Sequence, residues 1–122
     1  MTFTNRTTAT ANFVNCQGGT GVELQKLVDD KWTSVWSPAL LACLSPPIIV
    51  APGGTHQSII SIFAGYPGSN YFPQFGTTAI TGVYRAVWTE VVTDYQDRLP
   101  FGNPLPLPHR ISNQFTISVK PK

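Results

Sequence analysis

The chain has 122 residues, of which only 11% are charged, where a soluble domain ordinarily carries about 25%. A net charge of +2 without any cluster of Lys or Arg excludes a nucleic-acid groove and an anionic membrane surface, since both need concentrated positive charge. Apolar runs such as Ala39 to Leu44 fall far short of the roughly 20 residues of a spanning helix, so no membrane span is expected.

The length suits a single domain over residues 1–122 with one core, and the 42% of hydrophobic residues exclude a wholly disordered chain. Ten glycines and 11 prolines, set among many Val, Ile and Thr, describe strands joined by turns. Residues 2–15 alternate loosely around Phe3, Phe13 and Val14, which predicts one or two strands broken near Arg6 to Thr8. From Val22 to Val28 the alternation is cleaner, with Val22, Leu24 and Val28 on one face and Glu23, Gln25 and Leu27 on the other. Asp29-Asp30 punctuates, and Trp32, Ser34 and Trp36 then share a face opposite Thr33 and Val35. This pattern predicts a hairpin. A helix through Leu24, Leu27 and Val28 competes, but it is short, uncapped and runs into a stretch of poor helix propensity.

Pro38 and Pro46-Pro47 make residues 37–47 an irregular connection. A short strand follows at Ile48 to Val50, then an Ala-Pro-Gly-Gly turn at 51–54 and a strand over Thr55 to Ala64. Residues 65–78 form a loop rich in Gly, Pro and aromatics, and Gly82 to Val92 is the strongest strand in the chain. A loop spans Tyr95 to Ile111, and its proline-rich run Leu105 to Pro108 is either a stiff connection into the last strand or an extended ligand for an aromatic groove. Phe115, Ile117 and Val119 alternate in a last strand. Helical spacing of Trp88, Val91, Val92, Tyr95 and Leu99 leaves room for a short helical turn after Val92. About seven strands with almost no helix signal predict an all-β antiparallel sandwich or barrel.

The segment Gly82-Val83-Tyr84-Arg85-Ala86 resembles the strand F signature of immunoglobulin-like folds, in which the tyrosine hydroxyl bonds back to nearby backbone in a tyrosine corner. Ala86 stands where antibody domains carry a cysteine, so the inter-sheet disulfide of those domains is absent. Val-Glu-Leu-Gln-Lys-Leu, the acidic turn, Lys31-Trp32, the Pro-Gly turn, Gly-Val-Tyr-Arg and Ser112-Asn113-Gln114-Phe115 follow in that order over residues 20–119. Together they resemble the bacterial immunoglobulin-like domains of secreted proteins and lipoproteins, although Asp29-Asp30 replaces their usual Asp-Gly. The resemblance implies an immunoglobulin-like sandwich acting as a binding or spacing module, with no catalytic residues. A related immunoglobulin-like family inhibits intracellular proteinases, which makes inhibition through loop 65–78 an alternative.

Few residues suit chemistry. The acids are Glu23, Asp29, Asp30, Glu90, Asp94 and Asp97. Asp29 and Asp30 suit a turn, and Asp94 with Asp97 is too sparse for the six to eight oxygens of a calcium site. Cys16 and Cys43 lack the spacing of a zinc or redox pair. Each lies in a polar segment just past a predicted strand, so a disulfide at one end of the sandwich is expected, contributing about 3 kcal/mol by closing a loop of about 27 residues. Two reduced thiols are the alternative. No G-x-S-x-G pattern occurs, so no enzyme, cofactor or metal is expected. Tyr66, Tyr71, Phe72 and Phe75 sit together in a Gly- and Pro-rich loop. They either stack on a sugar or anchor a protein partner, or fold inward as a lid over the sandwich end. Asn5-Arg6-Thr7 is a formal N-glycosylation triplet. No secretory signal precedes the first predicted strand. The low charge, the abundance of Thr, Ser and Asn, and the expected disulfide favour a mature extracytoplasmic domain, secreted or anchored at the cell surface, and monomeric.

Overall fold

A computed structural model describes residues 1–16, 19–37, 45–58, 75–76, 79–96 and 102–118, with the side chains of Asn15, Cys16 and Gly19 left aside. The described residues are all-β and antiparallel, and they contain no α-helix. The strands are β1 (Thr2–Thr4), β2 (Ala11–Phe13), β3 (Asn15–Cys16), β4 (Gly19–Thr20), β5 (Val22–Val28), β6 (Lys31–Trp36), β7 (Ile48–Val50), β8 (Thr55–Gln57), β9 (Gly82–Trp88), β10 (Val91–Thr93), β11 (Asn103–Pro104) and β12 (Phe115–Ile117). A single 3-10 turn occupies Leu107–His109.

Two four-stranded sheets carry the fold, in the orders β11-β10-β2-β7 and β12-β9-β5-β6, and β1 pairs with β8. The two sheets are bound together by chain continuity. After β9 the strand breaks at Thr89 and Glu90 and resumes as β10, which pairs with β2 of the other sheet. Two backbone bonds hold the neighbours together through this bend, Thr89 N–H to the Gly21 carbonyl at 3.0 Å and Val14 N–H to that of Glu90 at 3.1 Å. Residues 91–93 are strand, because β2 and β11 offer their backbone partners on both sides. Residues 94–96 are not helical, while the end of the stretch whose spacing leaves room for a helical turn lies outside the described residues.

The core has two clusters, and β9 feeds both. Trp88 packs with Phe3, Phe13, Val50, Val91 and Leu105, while Tyr84 and Ala86 pack with Val22, Leu24, Val35, Trp36 and Phe75. In the first cluster Phe3, Phe13 and Trp88 form a mutual edge-to-face triangle, with centroids 5.0, 5.6 and 6.1 Å apart. That geometry sets the positive edge of one ring against the negative face of the next.

The hairpin of β5 and β6 closes with Val28 opposite Lys31, leaving a two-residue turn. Asp29 and Asp30 have φ of 50° and 64°, so the turn is type I′, whose twist matches that of the flanking strands. Asp tolerates this region at a cost that Gly avoids. Replacing Asp30 with Gly is expected to stabilise the protein by about 0.5–1 kcal/mol, read as a higher urea midpoint at unchanged slope.

One feature of this sheet departs from the alternation read in the sequence, and another places a charge on its buried face. The register shifts at Leu24/Gln25, where Leu24 faces Trp36 and Gln25 faces Ser34. Val35 is thus the extra residue of a bulge, and it is buried together with Trp36 instead of on the opposite side. Lys26 shares the buried face of Val22 and Leu24 and is only 9% exposed. Its ammonium donates to the Ala79 carbonyl, and its stem crosses the space over Gly82, where an added Cβ would lie 2.6 Å from the Lys26 Cε.

The connection from β1 to β2 is pinned by Asn5, which is fully buried. Its amide donates to the carbonyls of Ala9 (2.8 Å) and Val50 (2.9 Å), and its oxygen accepts from the Thr7 N–H (3.0 Å) and hydroxyl (2.7 Å). The sequon asparagine is therefore a turn-forming core residue whose nitrogen no glycosyl transferase can reach in the folded protein. The 51–54 turn lies against it, with Gly53 at φ 80° donating to the Asn5 carbonyl.

Candidate functional site

Two concave surfaces are formed by described residues. The larger, about 590 Å³, lies between the N-terminal strand, at residues 1–4 and Arg6, and the C-terminal segment, at 108–109 and 111–115, with Trp88 among its lining. Its first wall is one edge of β1. Met1 and Ser58 exchange backbone bonds at 2.8 Å, and Asn5 bonds to Gly54 at 2.9 Å. With Phe3 opposite His56 between them, the antiparallel alternation turns the N–H and C=O groups of Thr2 and Thr4 away from β8, and both residues line the cleft.

The second wall follows β9 without matching it residue for residue. Ser112 N–H bonds to the Ala86 carbonyl at 2.9 Å, yet Phe115 is the partner of Tyr84, so one extra residue bulges outward between them. Asn113 and Gln114 are consequently exposed. The Ser112 hydroxyl accepts from Ala86 N–H and donates to the Asn113 carbonyl, both at 2.8 Å, so it is not presented as a nucleophile. Arg110 secures the approach to this wall. Its guanidinium donates to the carbonyls of Leu105 (2.8 Å) and Trp88 (3.0 Å), holding the 3-10 turn against the bend. The proline-rich run is accordingly a stiff connection, anchored by buried Leu105. Among the described residues that line the cleft, Arg6 and His109 are the basic side chains and there is no carboxylate.

The second hollow, about 460 Å³, lies among Thr10, Asn12, Ile49, Asp94 and Tyr95. Ile49 is 67% exposed there, and the Asp94 carboxylate accepts a bond from the Asn103 amide at 3.4 Å.

The outer face of the β12-β9-β5-β6 sheet carries a polar ladder. The Arg85 guanidinium lies 4.5 Å over the Trp32 ring and donates to the Gln25 amide oxygen at 2.7 Å. Gln25 donates in turn to Glu23 at 3.0 Å. Trp32 is thus the one tryptophan outside the core, its ring already covered by a cation.

Of the residues singled out by sequence, Tyr66, Tyr71, Phe72, Asp97 and Cys43 lie outside the described residues, as does the Cys16 side chain. Phe75 is 7% exposed, its ring edge-on to Tyr84 at 6.3 Å. That ring belongs to the core and is not offered to a ligand. Tyr84 is completely buried, and its hydroxyl donates to the Ile80 carbonyl four residues upstream. Burial pushes its phenol above the ordinary tyrosine pKa, because the anion would lose its hydration. The unfolded chain then releases this proton first, so stability present below about pH 10 is lost as pH rises through the folded value. Tyr84→Phe is expected to cost about 1 kcal/mol at pH 7 and to flatten the decline in melting temperature between pH 9 and pH 11. Among the described residues no group of three or more His, Cys, Asp or Glu could hold a metal ion. Nothing in the sequence marked the cleft, since its walls lie more than 100 residues apart in the chain.

Compared with protein-family models, with curated proteins and with solved structures, the chain matches none.

Proposed function

We propose that the chain is an immunoglobulin-like β-sandwich module of a secreted or surface-anchored bacterial protein, acting by binding rather than by catalysis. One observation carries the reading. The order β12-β9-β5-β6 corresponds to the G-F-C-C′ sheet of variable-type immunoglobulin domains, and the residue that bonds back to backbone near the start of the F-like strand is Tyr84. The pairing of β10 with β2 departs from that plan, because it joins the sheets at one corner. A binding role is favoured over a spacer by the 590 Å³ cleft, whose size falls in the range of ligand sites. A catalytic role is disfavoured by its described lining residues, among which the serine hydroxyl is engaged and no carboxylate stands ready to accept a proton.

The extracytoplasmic setting rests on the low charge and on the pairing of Cys16 with Cys43. Thiol titration of protein purified without reductant is expected to find no free thiol in denaturant, and two free thiols would remove that support. A glycan array together with an inhibition assay against serine and cysteine proteinases tests the module's class. Silence in both is the expected result. A hit on the array moves the reading to sugar binding, and inhibition moves it to a proteinase inhibitor.

A further inference from the structure

We propose that the cleft between β1 and residues 111–115 binds an extended peptide of a partner protein as an added β-strand, and that this peptide carries a carboxylate facing Arg6 and His109. The inference rests on the reading of the chain as a binding module and names its ligand class.

The backbone supplies the affinity. Thr2 and Thr4 each turn one N–H and one C=O away from β8, and both residues line the cleft. Two residues of one strand lie about 6.8 Å apart, the repeat at which an antiparallel or parallel guest presents its own free groups. Such edges are hazards that proteins ordinarily blunt with charge, proline or cover. Three other edge strands of this chain are guarded. The edge strand β6 begins at Lys31 beside two aspartates, β11 contains Pro104, and β7 follows Pro46-Pro47. Neither β1, with Thr-Phe-Thr, nor β12, with Phe-Thr-Ile, carries such a guard, and these two strands flank the cleft. Asn113 and Gln114 of the bulge are exposed and line the cleft, so their side-chain amides are available to a guest backbone. Strand addition to an exposed edge is a general mode of peptide capture, in which main-chain bonds give affinity and side-chain positions give selectivity.

Charge selects the guest. Arg6 and His109 stand on opposite walls and no carboxylate among the described lining residues offsets them, so an acidic residue is attracted and a basic one repelled.

The test uses the full chain, isotopically labelled, titrated with acetyl-Thr-Val-Glu-Val-Thr-Val-Thr-amide and followed by amide NMR shifts and hydrogen exchange. Saturable binding is expected, with exchange at Thr2 and Thr4 slowed about tenfold or more by new backbone bonds. Replacing the peptide's Glu with Lys should weaken binding about fivefold or more, the equivalent of one rim charge contact. Methylating alternate backbone nitrogens of the peptide should abolish it. Thr4→Pro should abolish it too, since this N–H serves no bond to β8 and an edge proline is tolerated. If Thr4→Pro fails to fold, the methylated peptide makes the same distinction.

Binding that leaves Thr2 and Thr4 exchange unchanged overturns strand addition while the binding-module reading stands. Equal affinity for the Glu and Lys peptides overturns the charge selection. Protection of Thr2 and Thr4 that grows with protein concentration, without peptide, overturns the partner in favour of a second copy. No binding of the peptide overturns the proposal alone, because the module reading is judged separately by the thiol, glycan and proteinase measurements.

Discussion

Trp88→Ala is expected to lower stability by about 4 kcal/mol, the upper part of the range for truncating a buried tryptophan. Trp88 is 2% exposed and contributes two of the three contacts in the Phe3–Phe13–Trp88 triangle. Each edge-to-face pair adds about 0.5–1.5 kcal/mol beyond area burial. Its backbone also lies at the bend, where its N–H bonds to the Arg110 carbonyl and its own carbonyl accepts from the Arg110 guanidinium. The neighbouring strands therefore have little freedom to collapse into the space left behind. For a domain of this size 1 kcal/mol shifts the melting temperature by about 4 °C, so a fall of about 15 °C is expected in thermal denaturation followed by near-ultraviolet dichroism. Trp32→Ala is the control. Its ring lies on the outer sheet face under Arg85, and its loss should cost about 1 kcal/mol. Equal losses for the two variants would mean that the aromatic triangle is not the hub of the first cluster.

Asn5→Ala is the second large effect, about 3 kcal/mol. The substitution strips partners from the Ala9 and Val50 carbonyls and from Thr7, while the site itself is closed to solvent. An unsatisfied buried group costs about 1–3 kcal/mol, and Thr7 can turn its hydroxyl more fully to Ala9, which recovers part of the loss. Asn5→Asp separates hydrogen bonding from shape. It keeps the acceptor for Thr7 but sets a carboxylate oxygen against two carbonyls. Its folded-state pKa is therefore raised, and its destabilisation should be greatest at neutral pH and shrink as pH falls through that raised value, to be largely gone by about pH 4. Urea unfolding at pH 7 and pH 4 measures both. If Asn5→Asp were as stable as the parent at pH 7, Asn5 would not be the pin between β1 and β2.

Much of the local structure was legible in the sequence because its causes are local. The Asp29-Asp30 reversal, the Pro52-Gly53 turn and the strands at 22–28, 31–36, 48–50 and 82–88 follow from turn chemistry and period-2 alternation. The break between Phe3 and Phe13 fell where it was expected, around Arg6 to Thr8. Lys26 was harder to place. By alternation it belongs to the buried face, and only the carbonyl of Ala79, 53 residues away, makes that position tolerable for an ammonium group. Val35 likewise reads as opposite Trp36 until the register shift against β5 buries the two together.

The sequence by itself determined that this chain is made of antiparallel strands and turns, with few ionisable groups for chemistry, because alternation, glycine, proline and composition act over a few residues. Only the tertiary structure decided which of those residues meet. It made Asn5 a core pin instead of a glycan acceptor, placed Trp88 and Tyr84 in separate clusters along one strand, and set the open edge of β1 across a cleft from residues 111–115. Each of these depends on backbone groups brought together from distant parts of the chain, and no local pattern encodes which distant carbonyl or strand edge will lie opposite.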